Sequence, residues 1–314
     1  MIDDPIRRKI EALATQLSLP TVRKALGVLE GEHASGRRGG SGSVMDVRAY
    51  EPGDESRLID WKTSARQGRP MVVQRERLST SRVWMLMDVG LQMTGACSSG
   101  EAAWQVAANA LRMFAALSLR RADDISLVFG DKSNITRIAF HGGFAQFERT
   151  LDQALERGWD HRRNIDALLD YARRIKDRQA MIVLATDEHA LEQRHLAIIR
   201  RIARTHPMVL INVATLNPFA PLVQGGSAPL DGLSGRRVPA FLRNVRAADE
   251  VRTHRNAIAA VLDQELSRCG SHMIRAASSE VMFNQFVRLV SVSLSRSTRN
   301  QLHSAPELNL AGGR

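Results

Sequence analysis

Two aspartates stand where chemistry is most readily assembled. Asp88 closes the apolar run "VWMLMD" and Asp187 closes "AMIVLATD". Paired carboxylates can hold a hard divalent cation or divide acid and base roles, provided the fold brings their two distant segments to one place. Other candidates fall short of a reaction. His189 and His195 in "EHALEQRHL" lie six residues apart, which denies them the shared helix face of a zinc pair, so they read as solvated or core-capping histidines. The serines are not set in a GxSxG elbow, and Ser, His and Asp fall into no order typical of nucleophilic catalysis. "GEHASGRRGGSGS" lacks the Lys-Ser/Thr ending of a phosphate-binding loop and reads as a flexible connector. The acid pairs in "RADD" and "AADE" precede strand or helix starts, where they favour the local dipole.

The elements that must position Asp88 and Asp187 follow from periodicity. Ile6, Ile10, Leu13 and Leu17 recur at helical spacing, and Val22, Leu26 and Leu29 resume the pattern after Pro20, which predicts a short helical pair. From Arg82 onward, short apolar runs alternate with helical stretches, as strands and helices do around a mostly parallel sheet. The predicted strands are "VWMLMD", "DISLVFG", "NITRIAF", "AMIVLATD", "MVLINVATL" and "HMIRAA"; the second and third form a hairpin whose last strand is an edge. "SSGE", from Ser98 to Glu101, reads as a capping box opening the helix "AAWQVAANALRMFAALSL". Gln105, Asn109 and Arg112 give that helix a polar stripe, so it is expected to be amphipathic and not a membrane span. Further helices are expected over "FAQFERTLDQAL", "NIDALLDYARRIKD", about Leu191 to Thr205, "ADEVRTHRNAIAAVLDQELSRCG" and "EVMFNQFVRLVSVSLSR". In such sheets ligands approach the carboxyl ends of the strands, which is where both aspartates fall.

Composition bounds the function classes. The 314 residues carry a formal charge of +11 with 44% hydrophobic residues, as a globular, core-forming chain does. Arg supplies most of the positive charge, which fits an acidic partner or nucleic acid, and Arg236 and Arg237 form one such cluster. Aromatics are only 5% and no basic run is interleaved with them, which disfavours a base-stacking platform. Cys97 and Cys269 are too few for a disulfide framework or a thiolate metal site, and "MIDDPIRRKIEALATQ" lacks a signal-peptide core. A cytoplasmic, cofactor-free protein is expected.

The stretch "DVRAYEPGDESRLIDWKTSAR", from Asp46 to Arg66, concentrates charge around Trp61. Read from its residues, the ring shelters a carboxylate–guanidinium network drawn from Asp60, Arg57 and Arg66, fixing one docking shape, with direct partner contact by the same arginines as the alternative. Followed by "VVQRE" and a strand ending in Asp, it resembles the signature of the bacterial domain of unknown function 58 family. Arg48, Tyr50, Pro52, Gly53, Asp54, Arg57, Ile59, Asp60, Trp61, Ala65 and Arg66 carry that likeness. The downstream strand and helix order resembles a von Willebrand factor A-type domain.

The resemblance implies an α/β fold with a mostly parallel sheet flanked by helices, an N-terminal helical pair and a β-rich insertion packed on it. The expected divisions are a helical segment over 1–35, the β-rich signature segment over 36–81, the A-type domain over 82–299 and a disordered tail over 300–314. Members of the family are commonly encoded beside MoxR-type AAA+ ATPases and are thought to act with them, without an established enzymatic activity. The implied function is a non-catalytic adaptor, with no membrane span in this chain. The competing readings are a divalent-metal-dependent binder or hydrolase using Asp88 and Asp187, and nucleic-acid binding through Arg clusters.

A-type domains often bind a cation through a DxSxS motif, a later Thr and a further Asp. Here the motif reads "DVGLQ", with Asp88 kept and Gly90 and Gln92 in place of both serines; Arg163 stands where the Thr belongs, and Asp187 matches the last element. Three lost hydroxyls and a nearby guanidinium make a poor site for a hard cation. Arg163 is expected to bridge the two aspartates in the ion's stead. The loop from Asn217 to Pro239 follows a parallel strand, and Phe219, Leu222, Arg236 and Arg237 are its expected partner contacts.

Overall fold

The computed structural model describes residues 5–16, 19–29, 44–50, 59–75, 81–220 and 236–303. Helices α1 (Pro5–Gln16) and α2 (Leu19–Leu29) come first. Strand β1 (Val44–Ala49), helix α3 (Trp61–Gln67) and strand β2 (Met71–Arg75) follow. Then come β3 (Arg82–Asp88), α4 (Ala103–Arg121), β4 (Asp124–Gly130), β5 (Ile135–Ala139), α5 (Phe144–Leu155) and α6 (Ile165–Arg173). The chain continues through β6 (Met181–Asp187), α7 (Leu196–Thr205), β7 (Met208–Val213), α8 (Val245–Arg268), β8 (His272–Ala276) and α9 (Ser279–His303).

The described residues within 1–32 and 81–314 form one compact unit, and those within 33–80 form another. The helical pair thus belongs to the unit that holds the large sheet: α2 packs on α9 and α4, and α1 on α4. The last helix runs past Asn300 to His303.

The large sheet has the order β5-β4-β3-β6-β7-β8. Every neighbouring pair is parallel except β4 with β5, so the expected hairpin and its edge strand are present. This is the mixed, mostly parallel order of a von Willebrand factor A-type domain. Strand periodicity divides the core. Val83, Met85 and Met87 point with Met181, Val183 and Ala185 into one cluster, closed by Leu111, Phe114 and Phe286. Leu86, Ile182, Leu184 and Leu210 face the other cluster, closed by Leu168, Leu169, Ile199, Ile202 and Leu262. Buried on both faces, these strands read as near-continuous apolar runs because helices cover each side.

Three local expectations are corrected. Helix α4 is not amphipathic in the solvated sense: every side chain from Val106 to Ser118 is buried, Asn109 and Arg112 included. The sheet lies against one side of it and α1, α2, α5 and α9 against the other. Its polar groups survive because they are paired; Asn109 donates to Ser279 Oγ (2.9 Å) and Arg112 donates to Asn109 Oδ1 (2.7 Å). Nor does Ser98 open this helix. The first residue is Ala103, and Gln105 Oε1 accepts from the Ala102 amide (2.8 Å), while Glu101 instead accepts from the Ser279 amide (3.0 Å). Finally, α7 begins at Leu196, because Gln193–His195 forms a separate 3-10 turn.

In the smaller unit β1 and β2 pair antiparallel. Trp61 is not a buried shelter: it is 71% exposed. Asp60 is the N-cap of α3, accepting from the Lys62 amide (3.0 Å), the Thr63 amide (3.2 Å) and Thr63 Oγ1 (2.7 Å). Unsatisfied amides at a helix start account for this carboxylate, and those bonds lower its pKa. Arg66 is exposed in the last turn of α3. Arg48 lies in β1, where its backbone alone is described, and Tyr50 donates its amide to Pro70 O (2.9 Å). Asp54 and Arg57 lie outside the described residues.

Candidate functional site, two buried aspartates bridged by arginine

Asp88 and Asp187 end adjacent parallel strands, β3 and β6, and so reach the same rim of the sheet. Asp88 is fully buried and Asp187 is 1% exposed. Asp88 accepts from the Gly90 amide (2.9 Å) and from Thr186 Oγ1 (2.9 Å), and Asp187 accepts from the His189 amide (2.8 Å). Two buried carboxylates this close need positive charge.

Arg163 supplies it. Its Nε lies 3.1 Å from Asp88 Oδ2, its Nη1 donates to Asp187 Oδ1 (2.9 Å), and its Nη2 pairs with Asp187 Oδ2. The planar fork thus bridges both strands, which a Lys ammonium could not match in geometry.

The backbone carrying Arg163 is fastened on both sides. Its own amide donates to Gln92 Oε1 (2.9 Å), Leu91 donates to His161 O (2.7 Å) and Lys132 donates to Arg162 O (2.7 Å). Asn164 then caps α6 by accepting from the Ala167 amide (3.1 Å). Asp88, Gly90, Gln92, Arg163 and Asp187 therefore converge. Gln92 spends its carbonyl on protein backbone instead of on an ion.

The electrostatics match this geometry. Burial, reinforced by the Asp187 charge, pushes the Asp88 carboxyl up to about 6 despite the opposing pull of Arg163 and two hydrogen bonds. The paired carboxylates raise Arg163 above the ordinary guanidinium value against the effect of burial. A divalent cation does not fit this donor set. The guanidinium occupies the space between the carboxylates, and among the described residues no three His, Cys, Asp or Glu side chains gather as a metal site.

A second charge group beside the first was missed in the sequence. Glu188 accepts from Arg255 Nη1 (2.7 Å) and Arg275 Nη2 (2.7 Å), and Arg255 Nη1 also donates to Thr215 O (3.1 Å). Arg275 reaches Asn256 Oδ1 (2.7 Å), while Arg255 Nη2 contacts His189 Nε2 (2.5 Å). Because a guanidinium only donates, Nε2 of His189 is the acceptor and the ring is neutral. The acid following Asp187 in "LATDEH" was the available signal; its partners on α8 and β8 were not. Cys97 is buried, and burial together with Glu101, Asp187 and Glu188 pushes its thiol up to about 11.

Of the remaining expected contacts, Phe219 is half-buried with its amide on Asn217 Oδ1 (3.0 Å), Arg236 and Arg237 are exposed, and Leu222 lies outside the described residues. His195 is buried, its Nδ1 accepting from the Glu192 amide (2.9 Å) and its Nε2 facing Asp166 (3.1 Å), which is a structural role.

The sheet order gives a von Willebrand factor A-like fold, and at its rim Arg163 fills the space between Asp88 and Asp187. The chain belongs to the family described as protein of unknown function DUF58, whose model matches residues 46–218. Uncharacterized proteins of Mycobacterium bovis and Mycobacterium tuberculosis are 27% identical to it over 193 residues, which is 59% of this chain and 58% of theirs. Among solved structures, an aerotolerance-related membrane protein from Bacteroides fragilis aligns with a TM-score of 0.45 at 12% identity, covering 68% of this chain and 99% of that one. The SpRpn10 VWA domain aligns with a TM-score of 0.38 at 8% identity, covering 66% and 94%. No helix among the described residues is long and apolar enough to cross a membrane.

Proposed function

We propose that this protein is a non-catalytic protein-interaction module that serves a MoxR-type AAA+ ATPase in the assembly or maturation of other proteins. The observation that carries the reading is the Arg163 bridge between Asp88 and Asp187. A site neutralised from within has no open position for substrate or ion, and the neighbouring Glu188, Arg255 and Arg275 are paired as well. What such a rim offers is a fixed shape and a fixed charge pattern, as an adaptor needs. The ATPase is chosen on the family resemblance. The test is capture of a MoxR-type ATPase from the native cell by the tagged chain, followed by ATP turnover of the purified pair. Loss of capture on substituting the exposed loop residues Arg162 and Lys132 supports the reading; absence of the ATPase from the captured material sinks it.

A further inference from the structure

The first ten residues of helix α8 contribute no buried side chain to the core. Its first buried residue is Arg255, which meets Glu188 at the rim, and Ala259, Leu262 and Leu266 then pack inward. Val245 to His254 contain no buried side chain. At the usual helical rise they reach about 15 Å beyond the Arg255 contact.

This overhang is held firmly. Asn217 Nδ2 donates to Ala248 O (2.8 Å), and Asn244 caps the helix by accepting from the Ala247 amide (2.9 Å). Asn244 Nδ2 also donates to Phe241 O (3.2 Å), fastening the 3-10 turn Ala240–Leu242 to the helix start. That turn closes through Leu242 N to Pro239 O (3.1 Å) and Arg243 N to Ala240 O (3.1 Å), and Val238 before it is buried. A preorganised tip results.

Its side chains are the wrong ones for water. Phe241 is 78% exposed, Val245 65% and Leu242 39%. Single exposed apolar residues are ordinary, but three within the five residues that join one fastened turn to a helix start stand apart. Charge says what kind of surface they suit: from Arg236 to Arg246 the chain carries four arginines and no acid. Arg246 leaves 90% of its side chain exposed even while paired with Glu250.

We propose that this tip docks on an anionic lipid bilayer, with Phe241, Leu242 and Val245 entering the headgroup–acyl boundary while the flanking arginines meet lipid phosphates. An exposed apolar turn flanked in sequence by arginines fits a fluid negative surface, which closes around it without a matching notch. One such element gives reversible, peripheral binding and not anchoring.

The test is co-sedimentation of the full chain with vesicles of phosphatidylglycerol and phosphatidylcholine, against vesicles of phosphatidylcholine alone. Binding is expected only to the anionic vesicles. Phe241→Ser is expected to weaken it at least tenfold at unchanged melting temperature, and Arg236→Gln with Arg237→Gln to weaken it further and flatten its salt dependence. A Phe241→Trp variant is expected to show blue-shifted emission on the anionic vesicles. Equal binding by wild type and Phe241→Ser means unspecific adsorption of a basic chain and overturns the proposal. So does absence of vesicle binding, including the case in which Phe241→Ser instead abolishes ATPase capture and marks the tip as a protein interface.

Discussion

A Cβ placed on Gly90 would lie 2.4 Å from both the Cα and the amide nitrogen of Arg163. Gly90 thus packs directly on the backbone of Arg163, and the lack of a side chain at position 90 is what admits that backbone. Gly90→Ser is expected to destabilise the fold by about 1–3 kcal/mol through overpacking. Because the clash is with backbone, the loss should be similar in an Arg163→Ala background; thermal denaturation of the two single variants and the double variant checks this.

Arg163→Ala leaves Asp88 and Asp187 buried without a counter-charge, at a cost of about 3–5 kcal/mol. Mg²⁺ and Mn²⁺ are expected to produce no thermal shift in wild type, where the guanidinium fills the gap, and a measurable stabilisation in the alanine variant, where it does not. Differential scanning fluorimetry with and without chelator reads both. An equal shift in the two proteins would mean that the arginine is not in the ion's place.

The elevated Asp88 pKa has a definite sign. The folded protein holds this proton more tightly than the unfolded chain, from an ordinary value of 3.8 to about 6. Its contribution is therefore fully present below about 3.8 and is lost as pH rises through about 6. The amount at stake is about 3 kcal/mol. Asp88→Asn, which keeps the shape without the charge, should flatten that part of the stability profile. Denaturant midpoints measured between about pH 4 and about pH 7 decide the matter.

The alternation of apolar runs was enough to read the sheet, its edge hairpin and the rim, because buried parallel strands leave a strong local pattern. Arg163 was legible only against a motif that expects threonine there. The buried roles of Asn109 and Arg112 were not, since a polar pair three residues apart looks the same whether water or other helices face it. Glu188 was equally silent, as its partners Arg255 and Arg275 are 67 and 87 residues away. Trp61 misled in the opposite direction: aromatic size promises burial, yet position N1 of a short helix turned it outward.

Asp60 should accordingly behave as a cap. Asp60→Ala is expected to loosen α3 while sparing the large sheet, and Asp60→Asn, which can still accept from the helix amides, to leave it intact. Hydrogen exchange at the Lys62 and Thr63 amides distinguishes the two; equal protection in wild type and the alanine variant would remove the cap from the account.

The fastening of the N-terminal helix yields the last prediction. Asp152 on α5 accepts from Arg7 of α1 at 3.0 Å through Nη1 and Nη2 alike and also pairs with Arg112 from α4. The two arginines are not equivalent: the Arg7 side chain is 35% exposed and that of Arg112 is 4%. Removing Arg7 leaves Asp152 with its buried partner and costs about 0–1 kcal/mol, as for other surface pairs. Removing Asp152 strands Arg112 in the core with Asn109 and the more distant Glu148, 3.7 Å from its Nε, and costs about 3–5 kcal/mol. Asp152→Ala should therefore lower stability far more than Arg7→Ala, and replacing Arg112 by Met in the Asp152→Ala background should recover most of the difference, because an apolar side chain of similar length needs no counter-charge. Equal losses for the two single variants, or no recovery in the double variant, would show that the cluster is held by packing and not by charge.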